Sequence, residues 1–361
     1  MPNIIYIIHM YKARYWKSLD QGEILCLLCP RACRLGVGEK GHCYVRENKG
    51  SEMILNSYGK STGFALDPVE KKPLYHFFPG TSVMSFGTIG CNLACLFCQN
   101  WEMTTSKNMA LMTQNVSPLQ IAEAALKYDA RSVAFTYNDP IIFMEYAIDV
   151  AIECHARQIK TIAVTNGYMN LKPAREFYSH IDAVNVDLKS FSDDFYRKYT
   201  DSSIKPVLKL LEYLSQHKEV WVEITTLLIP GYNDDSREIR MLAKWIYENM
   251  GPDTPLHFSA FHPDYKFQDV PPTPLETLVR ARQIALAEGL HYVYTGNIVN
   301  SQTESTQCPN CQNIVIERRG FSVVKVLIDH DGSCLVCKHP IAGHYEISAT
   351  SDNPRPRHIQ V

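Results

Sequence analysis

The chain has 361 residues, 45% of them hydrophobic and 20% charged, with a formal net charge of -2. That size and apolar content can bury one core of α/β-barrel dimensions with small appendages or split into two or three domains, and the near-neutral charge excludes a surface-wide field for nucleic acid or an anionic membrane. Twelve cysteines would signal disulfides in a secreted chain, but no signal-peptide pattern opens the sequence. The apolar stretch from Ile4 to Ile8 is broken by His9, Lys12 and Arg14, far short of the ~20 residues that span a bilayer. A reducing cytoplasm is the expectation, and in it clustered cysteines read as metal ligands.

Residues 1–80 form a cysteine-led extension. Cys26, Cys29, Cys33 and Cys43 are spaced C-x2-C-x3-C-x9-C, with turns at Pro30, Gly36, Gly38 and Gly41. Four thiolates in this spacing suit either a zinc ion or a second iron-sulfur cluster, and the spacing does not choose between them.

Residues 81–300 alternate β-rich runs with helical patterns, as repeated βα units around a parallel sheet do. Six strands are predicted: Val83 to Thr88, Ser132 to Thr136, Thr161 to Thr165, Ala183 to Leu188, Val220 to Leu228 and Leu256 to Ser259. The fold class is therefore α/β, a partial (β/α)6 barrel whose chemistry belongs in the loops at the carboxyl ends of its strands. Ser117, Pro118 and Gln120 predict a capping box, and Thr273, Pro274 and Glu276 repeat that pattern. Ile239, Leu242, Ala243 and Ile246 recur at helical spacing as one buried face. Cys154, among Ile and Ala, reads as a small buried hydrophobe.

Directly after the first of these strands, Cys91, Cys95 and Cys98 are spaced C-x3-C-x2-C on one loop. Three thiolates can hold three irons of a cubane and leave the fourth iron open to an outside ligand, whereas zinc would need a fourth ligand from elsewhere. Later strand ends carry Tyr137-Asn138-Asp139-Pro140, Thr165-Asn166-Gly167-Tyr168 and Asp187-Leu188-Lys189. By composition alone the first of these is a turn and the last could be a surface ion pair. Ile229-Pro230-Gly231-Tyr232-Asn233-Asp234 reads as a turn into a helix capped near Asp235. His257 and His262 flank the sixth strand as second-tier candidates.

From 301 to 347, Cys308, Cys311, Cys334 and Cys337 form two C-x2-C knuckles around a β-like run. This is zinc-ribbon spacing, a Cys₄ staple for a module too small for its own core. Arg318 and Arg319 read as a solvated pair, and residues 348–361 as a disordered tail.

The central loop resembles the radical S-adenosylmethionine (radical SAM) signature, with Phe97 in the aromatic position that family members place beside the adenine. Longer runs, Asp67 to Gly80, Cys98 to Glu102 and His257 to Tyr265, resemble the radical SAM member of the AmmeMemoRadiSam system, a group similar to the pyruvate formate-lyase activating enzymes. The resemblance implies a [4Fe-4S] cluster on Cys91, Cys95 and Cys98, with S-adenosylmethionine (SAM) chelating the open iron. It implies that the segment with Asn138 and Asp139 meets the methionyl amino group, although relatives more often carry Glu where Asp139 stands. Asn166 adds a polar group at a strand end as a cofactor-site candidate, and the resemblance implies that the segment with Asp187 and Lys189 contributes to the cofactor site, Lys189 pairing with the methionyl carboxylate. Expected partners are SAM, a low-potential donor such as ferredoxin or flavodoxin, and a substrate that could be a protein glycine, a small molecule or RNA. The expected reaction is cleavage of SAM to a 5′-deoxyadenosyl radical that abstracts hydrogen. The competing reading is a non-catalytic zinc and nucleic-acid binding module.

Overall fold

A computed structural model describes residues 11–50, 52–112, 114–298, 301–345 and 355–361. Nine strands form its main sheet: β1 (Phe64–Pro68), β2 (Ser82–Phe86), β3 (Ser132–Phe135), β4 (Lys160–Thr165), β5 (Ala183–Asp187), β6 (Trp221–Leu228), β7 (Leu256–Ala260), β8 (Val293–Gly296) and β9 (Arg357–Ile359). They lie side by side in the order β8-β7-β6-β5-β4-β3-β2-β1-β9. Strands β2 to β8 are all parallel. β1 runs antiparallel to β2, and β9 antiparallel to β1.

The six predicted strands are β2 to β7, each within a few residues of its expected bounds. β8 adds a seventh parallel strand after the sixth βα unit, which leaves the barrel partial. Every residue of β2, β3 and β7 is buried, as a parallel strand covered on both faces requires. The covering helices follow the periodicity. In the helix Ser236–Met250, Ile239, Leu242, Ala243 and Ile246 are the buried residues, and each of the larger three contributes about 1.5–3 kcal/mol by leaving water. Asp235 caps that helix by accepting from the Arg237 and Glu238 amides at 2.9 and 3.2 Å. Ser117 and Gln120 close the predicted capping box at Pro118–Lys127.

Several expectations are corrected. Thr273 caps nothing: the helix begins at Leu275 with Pro274 at its N-cap. The Thr273 hydroxyl instead donates to the Leu228 carbonyl at 2.6 Å and accepts from the Phe261 amide at 2.9 Å, because it is buried between strand ends. The extension gives up its last part to the sheet, since Phe64–Pro68 pairs with β2. The tail from 348 on is ordered where Arg357–Ile359 pairs with β1. There it satisfies an edge whose backbone groups would otherwise be unpaired, and it buries Ile359. Residues 348–354 lie outside the described residues.

The C-terminal module is not a pendant. Cys308, Val315, Ile316, Val323 and Cys334 share one core with Tyr75, Tyr292 and Tyr294, so the module packs against the barrel around the start of β8. Arg318, expected in solvent, is fully buried. It donates to Thr306 Oγ1 at 2.8 Å and the Tyr75 carbonyl at 2.5 Å, and stands 3.6 Å from Glu70. A buried guanidinium persists only with such partners. Arg319 remains exposed. His257 belongs to the same end: its Nε2 meets Glu223 at 2.6 Å, and Glu223 also accepts from the Tyr75 and His76 amides. It lies near the start of β7, away from the carboxyl ends where cofactor residues were expected.

Candidate active site

At the opposite end, the loop after β2 runs through Gly87 and Gly90 to the three central cysteines. A Cβ at Gly87 would stand 2.4 Å from the Thr136 carbonyl oxygen, and one at Gly90, where φ is +81°, 2.0 Å from the Cys43 carbonyl oxygen. Both positions demand glycine because backbone crosses there at contact distance. The loop is thus wedged between the end of β3 and the N-terminal cysteine segment.

Cys91, Cys95 and Cys98 line a cavity of about 260 Å³ at the carboxyl ends of the parallel strands, together with Phe97, Asn138, Asp139, Asn166, Asp187 and Lys189. Every residue predicted for the central site is therefore brought to one place, but the side chains divide in what they do there. Asn138 braces the cysteine loop: it accepts from the Thr88 amide at 3.1 Å and donates to Thr88 Oγ1 at 2.9 Å and the Gly90 carbonyl at 3.0 Å. Asp139 ties neighbouring strand ends, accepting from Thr165 Oγ1 and the Asn166 amide at 2.8 Å and from the Ile141 amide at 3.0 Å. Burial pushes its carboxyl up to about 6, against these hydrogen bonds. Asn166 donates to Asn92 Oδ1 at 2.8 Å, and Asn92 donates to the Tyr168 carbonyl at 2.7 Å. The ring of Phe97 is buried against Phe195 and Phe267, with centroids 5.7 and 5.8 Å away.

Asp187 and Lys189 pair at 2.7 Å. The surface reading of this pair fails, because the Lys189 side chain is only 17% exposed and faces the cavity. Burial lowers the Lys189 pKa, but Asp187 and Cys95 outweigh it and hold the ammonium well above its ordinary value. Asn233, whose amide donates to the Lys189 and Leu227 carbonyls at 2.7 and 2.8 Å, clamps the ends of β5 and β6. Sequence reasoning missed the bracing roles of Asn92, Thr88 and Asn233. For Thr88 and Asn92 the signal was a small polar residue inside an otherwise apolar loop. It also missed Thr104, whose hydroxyl is 3.3 Å from Cys98 Sγ.

The donor set fits an iron cluster. Burial pushes the Cys91 thiol up and that of Cys95 up to about 12, so at neutral pH they become thiolates when a cation binds. Three sulfurs beside an ammonium and a carboxylate could hold a cubane and the charged amino-acid end of a cofactor.

At the C-terminal knuckles, Cys308 and Cys337 sulfurs are 3.5 Å apart and those of Cys311 and Cys334 3.8 Å. Tetrahedral zinc with Zn–S of about 2.3 Å separates its sulfurs by about 3.8 Å. A hydrogen bond from the Asn310 side chain heads the causes that bring the Cys337 thiol down to about 6, the ionisation a zinc ligand needs. In the N-terminal group Cys26, Cys29 and Cys43 are buried and Cys33 half-buried. Cys154 is buried as expected.

The Radical SAM superfamily model matches residues 86–243. An uncharacterised protein of Methanocaldococcus jannaschii is 38% identical over 333 residues, which cover 92% of this chain and 99% of that one. The pyruvate formate-lyase-activating enzyme of Staphylococcus aureus is 24% identical over 178 residues, 46% of this chain and 70% of its own. A solved radical SAM methyltransferase from Sphaerobacter thermophilus has a TM-score of 0.49 at 15% identity, covering 80% of this chain and 78% of that one.

Proposed function

The chain belongs to the radical SAM superfamily and is an enzyme, and from that premise we propose that Cys91, Cys95 and Cys98 hold the [4Fe-4S] cluster at which it cleaves SAM. When bound, the cluster supplies the electron that splits SAM into methionine and a 5′-deoxyadenosyl radical, which takes hydrogen from the substrate. The observation that carries this reading is the convergence of the three cysteines with Asp187 and Lys189 on one cavity at the strand ends.

The residues then divide the work. Lys189, already charged and held by Asp187, pairs with the methionyl carboxylate by a charge-assisted hydrogen bond. The backbone around Asn138 and Asp139 meets the methionyl amino group, since both side chains are engaged within the protein. Phe97 presents an apolar wall to the adenine, and Asn166 keeps the Cys91 turn in place. In this reading the N-terminal extension ends before Phe64, where the chain joins the main sheet, the barrel runs to about residue 300, and the C-terminal cysteines hold structural zinc. A module lacking enzymatic activity is set aside, and its nucleic-acid argument loses Arg318 to the interior.

For substrate, the similarity to a pyruvate formate-lyase-activating enzyme favours a partner protein; a protein glycine, with ferredoxin or flavodoxin as electron donor, remains the expectation from the resemblance of the central motifs. A cytoplasmic setting suits twelve free cysteines. Among the described residues, no helix is long and apolar enough to cross a membrane. The test is anaerobic incubation of reconstituted protein with SAM and dithionite, scoring 5′-deoxyadenosine. Cys98→Ala should abolish the product while circular dichroism stays unchanged; undiminished product from that variant would sink the assignment.

A further inference from the structure

Three cysteine groups share this chain, and their sulfur spacings sort them. The C-terminal four have sulfurs all within 4.8 Å of one another, and among the described residues no other group of three or more ligands is drawn that close. Cys91, Cys95 and Cys98 are not drawn into so tight a group, and thiolates around a cubane need not be, because four irons and four sulfides lie between them where a zinc site has a single ion. Cys26, Cys29, Cys33 and Cys43 likewise fall outside so tight a group, yet they lie near one another. A Cβ on Gly41 would be 3.8 Å from both Cys33 Sγ and Cys43 Sγ, and Cys29 interacts electrostatically with the other three.

Two further features set this group beside the catalytic loop. Buried Arg46 interacts electrostatically with Cys26 and Cys43, a cation next to what would be an anionic thiolate cage. Its guanidinium is fixed by Glu145 at 2.5 Å and by the Ile142 carbonyl at 3.0 Å. The Cys43 carbonyl lies against Gly90, the residue before Cys91, and Arg31, between Cys29 and Cys33, donates to the Asn92 carbonyl just after Cys91. Cys33 is only half-buried. The group therefore bridges solvent and the first cysteine of the catalytic loop.

We propose that Cys26, Cys29, Cys33 and Cys43 bind a second [4Fe-4S] cluster that relays single electrons from an external low-potential donor to the catalytic cluster. Each transfer oxidises the donor by one electron and delivers that electron to the cleavage of one SAM; no bond or proton changes at the relay. The relay role rests on the catalytic reading of Cys91, Cys95 and Cys98, whereas iron at the N-terminal site does not.

The experiment reconstitutes the full chain anaerobically with iron and sulfide and measures metal, sulfide and electron paramagnetic resonance. The variant C91A/C95A/C98A should keep about four irons and four sulfides, with a reduced-state signal indifferent to SAM. The double variant Cys29→Ser/Cys43→Ser should fall from about eight irons to about four, with a remaining signal that SAM perturbs. In stopped flow, flavodoxin should reduce the catalytic cluster of the double variant more slowly than that of the wild type. Additional zinc in place of iron in the first variant, or wild-type iron content in the second, would overturn the cluster; an unchanged reduction rate would overturn the relay. Failure of the catalytic reading is distinct, since the double variant's signal would then ignore SAM.

Discussion

Replacing Asn138 by alanine should loosen the cysteine loop without touching a cysteine. The amide accepts from the Thr88 amide and donates to Thr88 Oγ1 and the Gly90 carbonyl, with a longer 3.3 Å contact to the Ile89 carbonyl. Two amide protons cannot serve three acceptors fully, so the side chain makes about three net hydrogen bonds, each contributing about 1 kcal/mol. Thr88 and Asn138 are both buried, so the Thr88 amide left behind adds a desolvation cost. The expected loss is about 3–4 kcal/mol in the metal-free protein, measured by urea unfolding, together with lower iron per chain after anaerobic reconstitution. Asn138→Asp should not rescue, because it removes both donors and places a carboxylate against carbonyl oxygens. Stability within about 0.5 kcal/mol of wild type, with iron unchanged, would refute the bracing role. If only SAM affinity then fell, Asn138 would be a direct cofactor ligand.

Three other outcomes are expected. Lys189→Ala should weaken SAM binding by about 1.5–3 kcal/mol, roughly 10- to 150-fold in Kd by equilibrium dialysis; an unchanged Kd would leave the lysine as a partner of Asp187 alone. Cys308→Ser should release about one zinc by mass spectrometry and lower the Tm of the whole chain in a single transition, because Cys308 shares its core with Tyr292 and Tyr294. A separate low-temperature transition would restore an independent module. His76 is buried, with Nδ1 2.6 Å from the Ala342 carbonyl and Nε2 2.5 Å from the Tyr294 hydroxyl, and burial pushes it down to about 4. The unfolded chain binds that proton near pH 6.5 and the folded chain only near 4, so stability is present above 6.5 and lost as pH falls between them, by about 3 kcal/mol in all. Urea midpoints of His76→Asn should lack this slope, and parallel curves for the two proteins would contradict it.

The sequence by itself determined the six βα units, the capping box at Ser117, the apolar face of Ser236–Met250 and the three cysteine groups. Those signals are periods and spacings along the chain, and nearby residues obey them whatever packs against them. It also singled out residues that meet in one cavity, because βα units bring successive strand ends together. Tertiary structure decided what those side chains bind. Asn138 reaches Thr88 and Gly90 across about fifty residues, and Arg318 reaches Tyr75 across 243. Partners so distant leave no mark in local spacing, so Asn138 reads as a turn and Arg318 as a solvated charge. The same holds for β9, whose polar sequence looks disordered until the open edge of β1 supplies its hydrogen bonds. It holds also for the N-terminal cysteines: their spacing admits either metal, and only the folded distances separate them from the compact quartet at Cys308 and set Cys43 against Gly90.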